Sequence, residues 1–293
     1  MFEDSIFFAM KRTCFFLCLL SLIAFKASAQ DYILMPENFI LHKGDTLKIH
    51  LLNVSQFNKQ DEFRYDASNT AKFTFNNGSK KVTNLMTTAK DSAAPVASFK
   101  VENEGLNMIN MTRKAITDEI DRDDFLKILD DEALTQYSEK AKNGSKDSFR
   151  EKYTWYLKSL VEVEKNSANG FEKPVNDDLE IILKDNPYKG NYGDDIIALI
   201  NFKGKPLVNA VVTLYIKAAT GNIFAQKLSS DKQGQIYFKL SREGIYFLRT
   251  LFMEPSKDKN ADFETWMASY TFAFSSSNEM PNTYREFGFG NKH

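Results

Sequence analysis

Histidine is the residue of this chain best suited to metal chemistry, because imidazole nitrogen is a common ligand of transition metals. His42 lies just before a Gly44-Asp45 turn, and His50 lies in the strand that follows. A bend at the turn brings both imidazoles toward one carboxylate, Asp45 or Asp31. The sequence therefore offers His42, His50 and Asp45 as a candidate metal site, which would be weak and unselective.

The same histidine and methionine residues also have a purely structural interpretation, in which none of them binds a metal. Alternation along the strand places His50 on the face opposite Leu47 and Ile49, where a solvated histidine is expected. Met108 and Met111 suggest a copper site, but the same alternation puts them on opposite faces, which favours core packing.

No pattern of residues points to catalysis. The chain has no glycine-rich phosphate loop, no nucleophile elbow and no zinc-protease helix. The acidic run from Asp118 to Glu132 is typical of the solvated face of a helix. Aromatic residues form 13% of the chain and suit either stacking on sugars or the filling of β-sandwich cores. We therefore expect a non-catalytic protein, with a hydrolase as the least favoured alternative.

Residues 1–29 have the features of a secretory signal peptide. Met10-Lys11-Arg12 supplies a basic start, Cys14 to Phe25 an apolar core, and Ala27-Ser28-Ala29 a cleavage site of small residues. Cleavage between Ala29 and Gln30 is therefore predicted. The apolar core is shorter than the ~20 residues of a transmembrane helix. The sequence predicts a periplasmic or extracellular protein with no transmembrane segment after cleavage.

Cleavage would also remove both cysteines, Cys14 and Cys18. The mature chain would then have no disulfide, no thiolate ligand and no cysteine nucleophile. The leader carries one net positive charge, so the net charge of −1 becomes −2, and we expect no nucleic-acid partner.

The two-residue hydrophobic period is clearest between Gly193 and Met253. Ile236, Phe238 and Leu240 share one strand face, and turns such as Asp231 to Gly234 separate the successive strands. The sequence predicts an immunoglobulin-like antiparallel β-sandwich domain over residues 175–274.

Residues 30–170 alternate in the same way at both ends of the range, which predicts a first β-sandwich domain. Between Ile116 and Tyr156 the period changes to about 3.6, which predicts a helical insertion. Its second helix starts at Ser145 and contains Phe149 and Tyr153. The fold class expected is thus mainly β, with two immunoglobulin-like or transthyretin-like sandwiches, followed by a flexible tail over residues 275–293.

Several short motifs carry a resemblance to a known family. They are Met35-Pro36-Glu37-Asn38-Phe39, Leu41-His42-Lys43-Gly44-Asp45, Lys158-Ser159-Leu160-Val161, Leu179-Glu180-Ile181-Ile182, Asn186-Pro187-Tyr188, Gly204-Lys205-Pro206-Leu207 and Trp266-Met267-Ala268-Ser269. In order and spacing they resemble a secreted bacterial domain-of-unknown-function family formerly linked to the M subunit of nickel transport complexes.

The resemblance implies an extracytoplasmic protein of immunoglobulin-like β-domains, associated with nickel or cobalt uptake and partnered by a transporter or outer-membrane receptor. Family members often begin the mature chain with a histidine, where this chain has Gln30. The function expected is an accessory or binding protein in metal uptake. The alternative is a cell-surface module that binds a glycan or a partner protein.

Overall fold

The computed structural model describes residues 31–77, 81–164, 170–277 and 279–290, so the predicted signal peptide, Ala29, Gln30 and His293 lie outside the described residues. The strands, in chain order, are β1 Asp31–Pro36, β2 Ile40–Leu41, β3 Thr46–Ser55, β4 Asn58–Phe63, β5 Thr70–Asn77, β6 Lys81–Asn84, β7 Ala97–Lys100, β8 Gly105–Arg113, β9 Ile116–Asp121, β10 Ser148–Val163, β11 Leu179–Leu183, β12 Asp195–Phe202, β13 Lys205–Pro206, β14 Val211–Lys217, β15 Ile223–Ser229, β16 Gln235–Lys239, β17 Gly244–Pro255 and β18 Phe263–Phe274. The α-helices are α1 Arg122–Asp131, α2 Thr135–Asn143 and α3 Thr283–Glu286, and a 3-10 turn covers Leu85–Thr87.

These strands form three sheets. The N-terminal sheet has the order β1-β3-β4, with β7 also paired to β3. The central sheet has the order β15-β14-β17-β18-β10-β8-β5-β6, and β2 and β9 pair with β10. The C-terminal sheet has the order β11-β12-β13, with β16 paired to β12. Strands contain 51% of the residues and helices 10%. The predicted mainly β, sandwich-like fold class is therefore confirmed.

The longest strand, β10, joins the two halves of the chain. It pairs antiparallel with β8 and β9, and its other edge pairs in parallel with β18, from Glu151 opposite Phe263 to Ser159 opposite Thr271. A strand from residues 30–170 and a strand from residues 175–274 therefore share one sheet. The division into two domains at these boundaries stays a prediction.

Side chains of β10 point alternately into two hydrophobic cores, as the two-residue period requires. Leu157 and Val161 enter a core built mainly from the N-terminal sheet, whereas Tyr156 and Leu160 enter a core shared with the C-terminal sheet. Each core also takes residues from the other half of the chain; Phe247, for example, lies in the first core.

The predicted helical insertion is shorter than expected. Helices α1 and α2 lie within it, but the residues on either side belong to strands β9 and β10. The predicted helix from Ser145 that contains Phe149 and Tyr153 is wrong, because these residues pair with β9 and β18. Backbone pairing with distant strands outweighs the helix-like spacing of the aromatic residues. No helix in the described ranges is long and apolar enough to cross a membrane.

The predicted flexible tail is also wrong for the part that the structure describes. Residues 279–290 carry α3 and place Tyr284, Phe287 and Phe289 in the first core. Asn282 caps α3 by accepting a hydrogen bond from the Arg285 backbone N–H. Burial of three aromatic side chains, at about 1.5–3 kcal/mol each, outweighs the low order expected from a composition rich in Ser, Asn and Gly.

Candidate ligand-binding cleft

One guanidinium and two carboxylates meet where the N-terminal sheet, the helices and the central sheet come together. Arg249 donates from Nε to Asp31 at 2.6 Å and from its two terminal nitrogens to Glu132 at 2.7 and 3.1 Å. Arg249 and Asp31 are each only 8% exposed. The fork-shaped guanidinium is suited to such paired contacts, which fix both carboxylates in position.

Three separate elements supply these residues. Asp31 opens β1, Arg249 lies in β17, and Glu132 caps the end of α1. The helix ends in a Schellman motif, in which the Leu134 N–H donates to Leu129 and the Ala133 N–H donates to Asp130. Ala133 takes the left-handed conformation that this motif needs, with φ of 57°. The reversal of the chain presents Glu132 to Arg249.

The charges of this ion cluster (Asp31, Glu132 and Arg249) do not balance, because one cation serves two carboxylates. Burial raises the pKa of Asp31 to about 6, an effect that Arg249 opposes and Glu132 reinforces. Asp31 therefore takes up a proton in a mildly acidic medium.

Two cavities open on either side of the cluster, and Arg249 lines both. The first two residues of β1 separate them, since Asp31 lines the larger cavity and Tyr32 lines the smaller. Successive side chains of a strand point to opposite faces, so the start of β1 lies between the two cavities. We call the two cavities together the cleft.

The larger cavity has a volume of about 590 Å³ and is mostly polar. The β3–β4 hairpin, the end of α1 and strands β14, β15 and β17 surround it. Its lining residues outside the ion cluster are Ser55, Gln56, Asn58, Lys127, Asp131, Thr213, Tyr215, Ile223, Ala225, Gln226 and Lys227. Amide, hydroxyl, ammonium and carboxylate groups together offer many donors and acceptors beside one tyrosine ring.

The hairpin is held in place by a buried aromatic residue at its tip. Gln56 and Phe57 both have positive φ, at 48° and 63°, as a two-residue type I′ turn requires. That conformation costs a residue with a side chain roughly 1–2 kcal/mol. Phe57 offsets the cost by complete burial against Phe247 and Phe289, with ring centroids 5.1 and 5.4 Å away. The buried ring fixes Gln56 at the edge of the larger cavity.

The smaller cavity has a volume of about 330 Å³ and is largely apolar, with both aromatic and aliphatic side chains in its lining. Tyr32, Tyr153 and Trp155 form one wall; the Trp155 ring lies edge-on to both tyrosines, with centroids 4.8 and 4.6 Å apart. Asp118 and Glu151 add carboxylates, and Asp118 accepts a hydrogen bond from the Tyr153 hydroxyl. An apolar body with a polar group is the kind of molecule that such a cavity accommodates.

His50 lies in a third place, at a cavity of about 730 Å³ that α3 borders. It is 6% exposed, so the prediction of a solvated strand histidine is wrong. Its Nδ1 lies 2.6 Å from Glu62 and its Nε2 lies 3.2 Å from Glu37. Tyr284 covers the imidazole ring face to face. The C-terminal segment, which the sequence predicted to be loose, is what buries His50.

The structure does not bring the predicted metal ligands together. His42 lies in the exposed turn before β3, where its backbone N–H donates to Asp45 at 2.8 Å and its ring lies 3.6 Å from Glu164. His50 is four residues into β3, about 13 Å beyond Thr46. Asp31 is held by Arg249 instead.

The residues described do not fit a nickel or cobalt ion at this place. Both ring nitrogens of His50 already contact carboxylates, so neither nitrogen faces an open position for an ion. Within the described ranges no group of three or more histidine, cysteine, aspartate or glutamate side chains is placed to hold a metal.

Residues 27–254 match the family described as "Domain of unknown function (DUF4198)". The chain belongs to this family. The match runs from the predicted leader boundary to β17, so it includes all of the ion cluster. No curated protein matches this family member significantly.

Two solved structures have limited similarity to this family member. One is a tetra-tandem repeat in the extending region of a large adhesion protein, with a TM-score of 0.22 and 10% identity. The match covers 84% of this chain and 50% of that one, so this chain spans half the adhesion chain's length. The other comprises three N-terminal domains of the bacteriophage RB49 highly immunogenic outer capsid protein (Hoc), with a TM-score of 0.20, 6% identity and coverage of 84% and 100%. The function is therefore argued from the cleft.

Sequence reasoning did not find the cleft. The sequence indicates Asp31 only as an alternative metal ligand, and no motif in it singles out Arg249. The one signal available was an arginine on the strand face that also carries Phe247 and Leu251, where an apolar side chain is expected. A buried cation demands a partner, but nothing local indicates that the partners lie at positions 31 and 132.

Proposed function

We propose that this protein is an extracytoplasmic, non-catalytic binding module that holds a glycan in the larger cavity of the cleft. The observation that carries the proposal is the chemistry of that cavity, where side-chain donors and acceptors of several kinds surround the half-buried ring of Tyr215. Hydroxyl groups of a sugar both donate and accept hydrogen bonds, and the apolar face of a sugar ring stacks on an aromatic side chain.

The ion cluster supports binding rather than hydrolysis. A glycosidase needs two carboxylates that flank the bond to be cut, one of them free to give a proton and the other free to act as base or nucleophile. Here Asp31 and Glu132 both contact Arg249, which holds them as a fixed acceptor surface. Their role in the proposal is to orient the neighbouring side chains.

Asn58 and Lys227 are the residues proposed to contact the glycan. Both are exposed and line the cavity from two sides, Asn58 from the β3–β4 hairpin and Lys227 from the face of β15 that lies beside Tyr215. Their replacement leaves the cores untouched, so loss of binding can be separated from loss of folding.

The test is a glycan microarray probed with residues 30–293 and followed by calorimetry on the glycans retained. We expect Asn58→Ala combined with Lys227→Ala to weaken binding at least about tenfold, since two lost hydrogen bonds of about 1 kcal/mol each exceed that factor. Gln233→Ala, in an exposed turn outside the cavity, is the matched control. Absence of glycan binding, or binding that the double variant leaves unchanged, would refute the proposal. Release of reducing sugar from a bound glycan would establish the hydrolase alternative instead.

The association with nickel or cobalt uptake is carried as a second candidate, on the family resemblance. In this form the protein acts through a partner, a transporter or an outer-membrane receptor, and does not itself hold the ion. Affinity purification from envelope fractions of the native host tests it. Co-purification of a metal transporter supports the candidate, and its absence under crosslinking counts against it.

A further inference from the structure

The smaller cavity contains a buried carboxylate that no cation among the described residues balances. Glu151 is 5% exposed and lies between β9 and β18, where it accepts a hydrogen bond from the Thr265 hydroxyl. Burial raises its pKa, and the only influence that opposes burial is the Thr265 hydroxyl, with no cation of the described residues contributing. Placing an ionisable group there has a cost in stability, because a buried charge needs a partner.

A second carboxylate lies beside the first. Asp118 is the cross-strand partner of Glu151 in the β9–β10 pair, and both line the cavity. Like charges opposite each other on neighbouring strands destabilise a sheet. Arg249 reaches the cavity but is already shared between Asp31 and Glu132. The charges around the cavity therefore favour a positively charged occupant.

The aromatic wall suits the same occupant. Trp155 is 95% buried, and its indole N–H has no hydrogen-bond partner among the described residues. A buried donor of this kind is paired in most proteins, so an acceptor on a ligand would satisfy it. Arg113, which does not line the cavity, stacks its guanidinium on the Tyr32 ring at 4.9 Å. The same group of rings thus already stabilises one cation.

We propose that the smaller cavity binds a small organic ammonium ion that also carries a hydrogen-bond acceptor. The ammonium group lies against Tyr153 and Trp155 and pairs with Glu151, while the acceptor takes the Trp155 indole N–H. A volume of about 330 Å³ is enough for a molecule of this size. The two sites share Arg249 in their lining but use different contact residues, so neither proposal depends on the other.

Choline and 3,3-dimethylbutan-1-ol are the probes for the test, because they have the same shape and hydroxyl group and differ in charge. Calorimetry on residues 30–293 should show saturable choline binding at least about tenfold tighter than that of the neutral alcohol. Equal affinity for the two probes, or no saturable binding of choline, overturns the proposal. Glycan binding is measured on the same sample, so failure of one site is distinguishable from failure of the other.

Two variants locate the site. Glu151→Gln removes the charge and Trp155→Phe removes the indole N–H; each should weaken choline binding about tenfold or more without loss of the native circular-dichroism spectrum. Glu119→Gln is the matched control, since Glu119 neighbours Asp118 on β9 but points to the opposite face. Choline binding that both cavity variants retain at full strength places the ligand elsewhere and overturns the assignment.

Discussion

The imidazole of His50 lies flat on the ring of Tyr284, with 3.9 Å between the ring centroids and 10° between the ring planes. The Tyr284 hydroxyl donates to Glu62 at 2.6 Å, and Glu62 also contacts His50 and Lys59. This stack connects the N-terminal sheet to the last described helix.

Replacement of Tyr284 tests whether the C-terminal segment stabilises the fold. Tyr284→Ala should lower the free energy of unfolding by about 3–5 kcal/mol, because a buried ring is lost together with its hydrogen bond. Tyr284→Phe, which keeps the ring, should cost about 1–2 kcal/mol. Urea denaturation gives both values. An alanine variant as stable as the wild type would show that the segment is loosely held.

The same network predicts sensitivity to acid. Burial acts to raise the pKa of Glu62, but hydrogen bonds from Tyr284, His50 and Lys59 outweigh it and lower the pKa to about 2. The folded state therefore favours the ionised carboxylate, and this stabilisation is present above the ordinary pKa of 4.5 and disappears as the pH falls toward 2. Glu62→Gln should flatten the loss of stability over that range by about 1–3 kcal/mol. An unchanged acid profile in this variant would contradict the prediction.

Glu162 should behave in the opposite sense. It is 4% exposed in β10, and burial raises its pKa to about 7. The folded state therefore favours the protonated form, and stability falls as the pH rises from the ordinary 4.5 through 7. We expect Glu162→Gln to add about 1–3 kcal/mol at about pH 8 and nothing at about pH 4. Thermal melts at the two pH values, with the exposed Glu139→Gln as control, decide the matter.

The ion cluster gives a fourth stability prediction. Arg249→Met leaves Asp31 and Glu132 buried without a cation, which should cost about 3–5 kcal/mol. Replacing all three charges with apolar residues should recover most of that loss, since the penalty comes from unpaired charge rather than from the missing contacts. Denaturant titration of the single and triple variants gives the comparison. A triple variant no more stable than Arg249→Met would mean that the cluster is essential to the packing of β1 against β17.

Metal binding is the prediction that separates the family resemblance from the residues. With both His50 nitrogens engaged and His42 in an exposed turn, residues 30–293 should bind nickel and cobalt weakly or not at all. Calorimetry with each ion measures this directly. Stoichiometric tight binding that His42→Ala or His50→Ala abolishes would show that the pair moves together when an ion is present.

Strands were predictable from the sequence where one face of the sheet is exposed to solvent, because apolar and polar residues then alternate. In β16 the buried Ile236 and Phe238 alternate with the exposed Tyr237 and Lys239, and the sequence shows the same period. In the first half of β10 buried Phe149 and Glu151 alternate with exposed Arg150 and half-buried Lys152, but one of the buried residues is charged. The apolar alternation is therefore hidden, and the spacing of Phe149, Tyr153 and Tyr156 matches a helix instead. The pairing that decides the matter comes from β18, far along the chain.

The cleft was not predictable from the sequence, because the residues that form it are far apart in the chain and come together only in the folded protein. Asp31, Glu132 and Arg249 stand in three unrelated local patterns, and each looks like an ordinary surface charge in sequence. The order of the C-terminal segment is not predictable for a similar reason. Tyr284 and Phe289 follow a polar stretch, and their contacts with Glu62 and Phe57 lie more than 200 residues earlier in the chain. The composition of a segment does not reveal the distant residues against which that segment packs.

The parallel pairing of β10 with β18 also governs the order in which the molecule can fold. Trp155 lies opposite Met267, 112 residues further along, so the edge of β10 from Glu151 to Ser159 has no partner while the intervening chain is being made. Closing so long a loop is slow, and an unpaired strand edge invites association with other chains. The amino-terminal half made alone is thus expected to aggregate, and the native topology becomes accessible only once β18 has been synthesised.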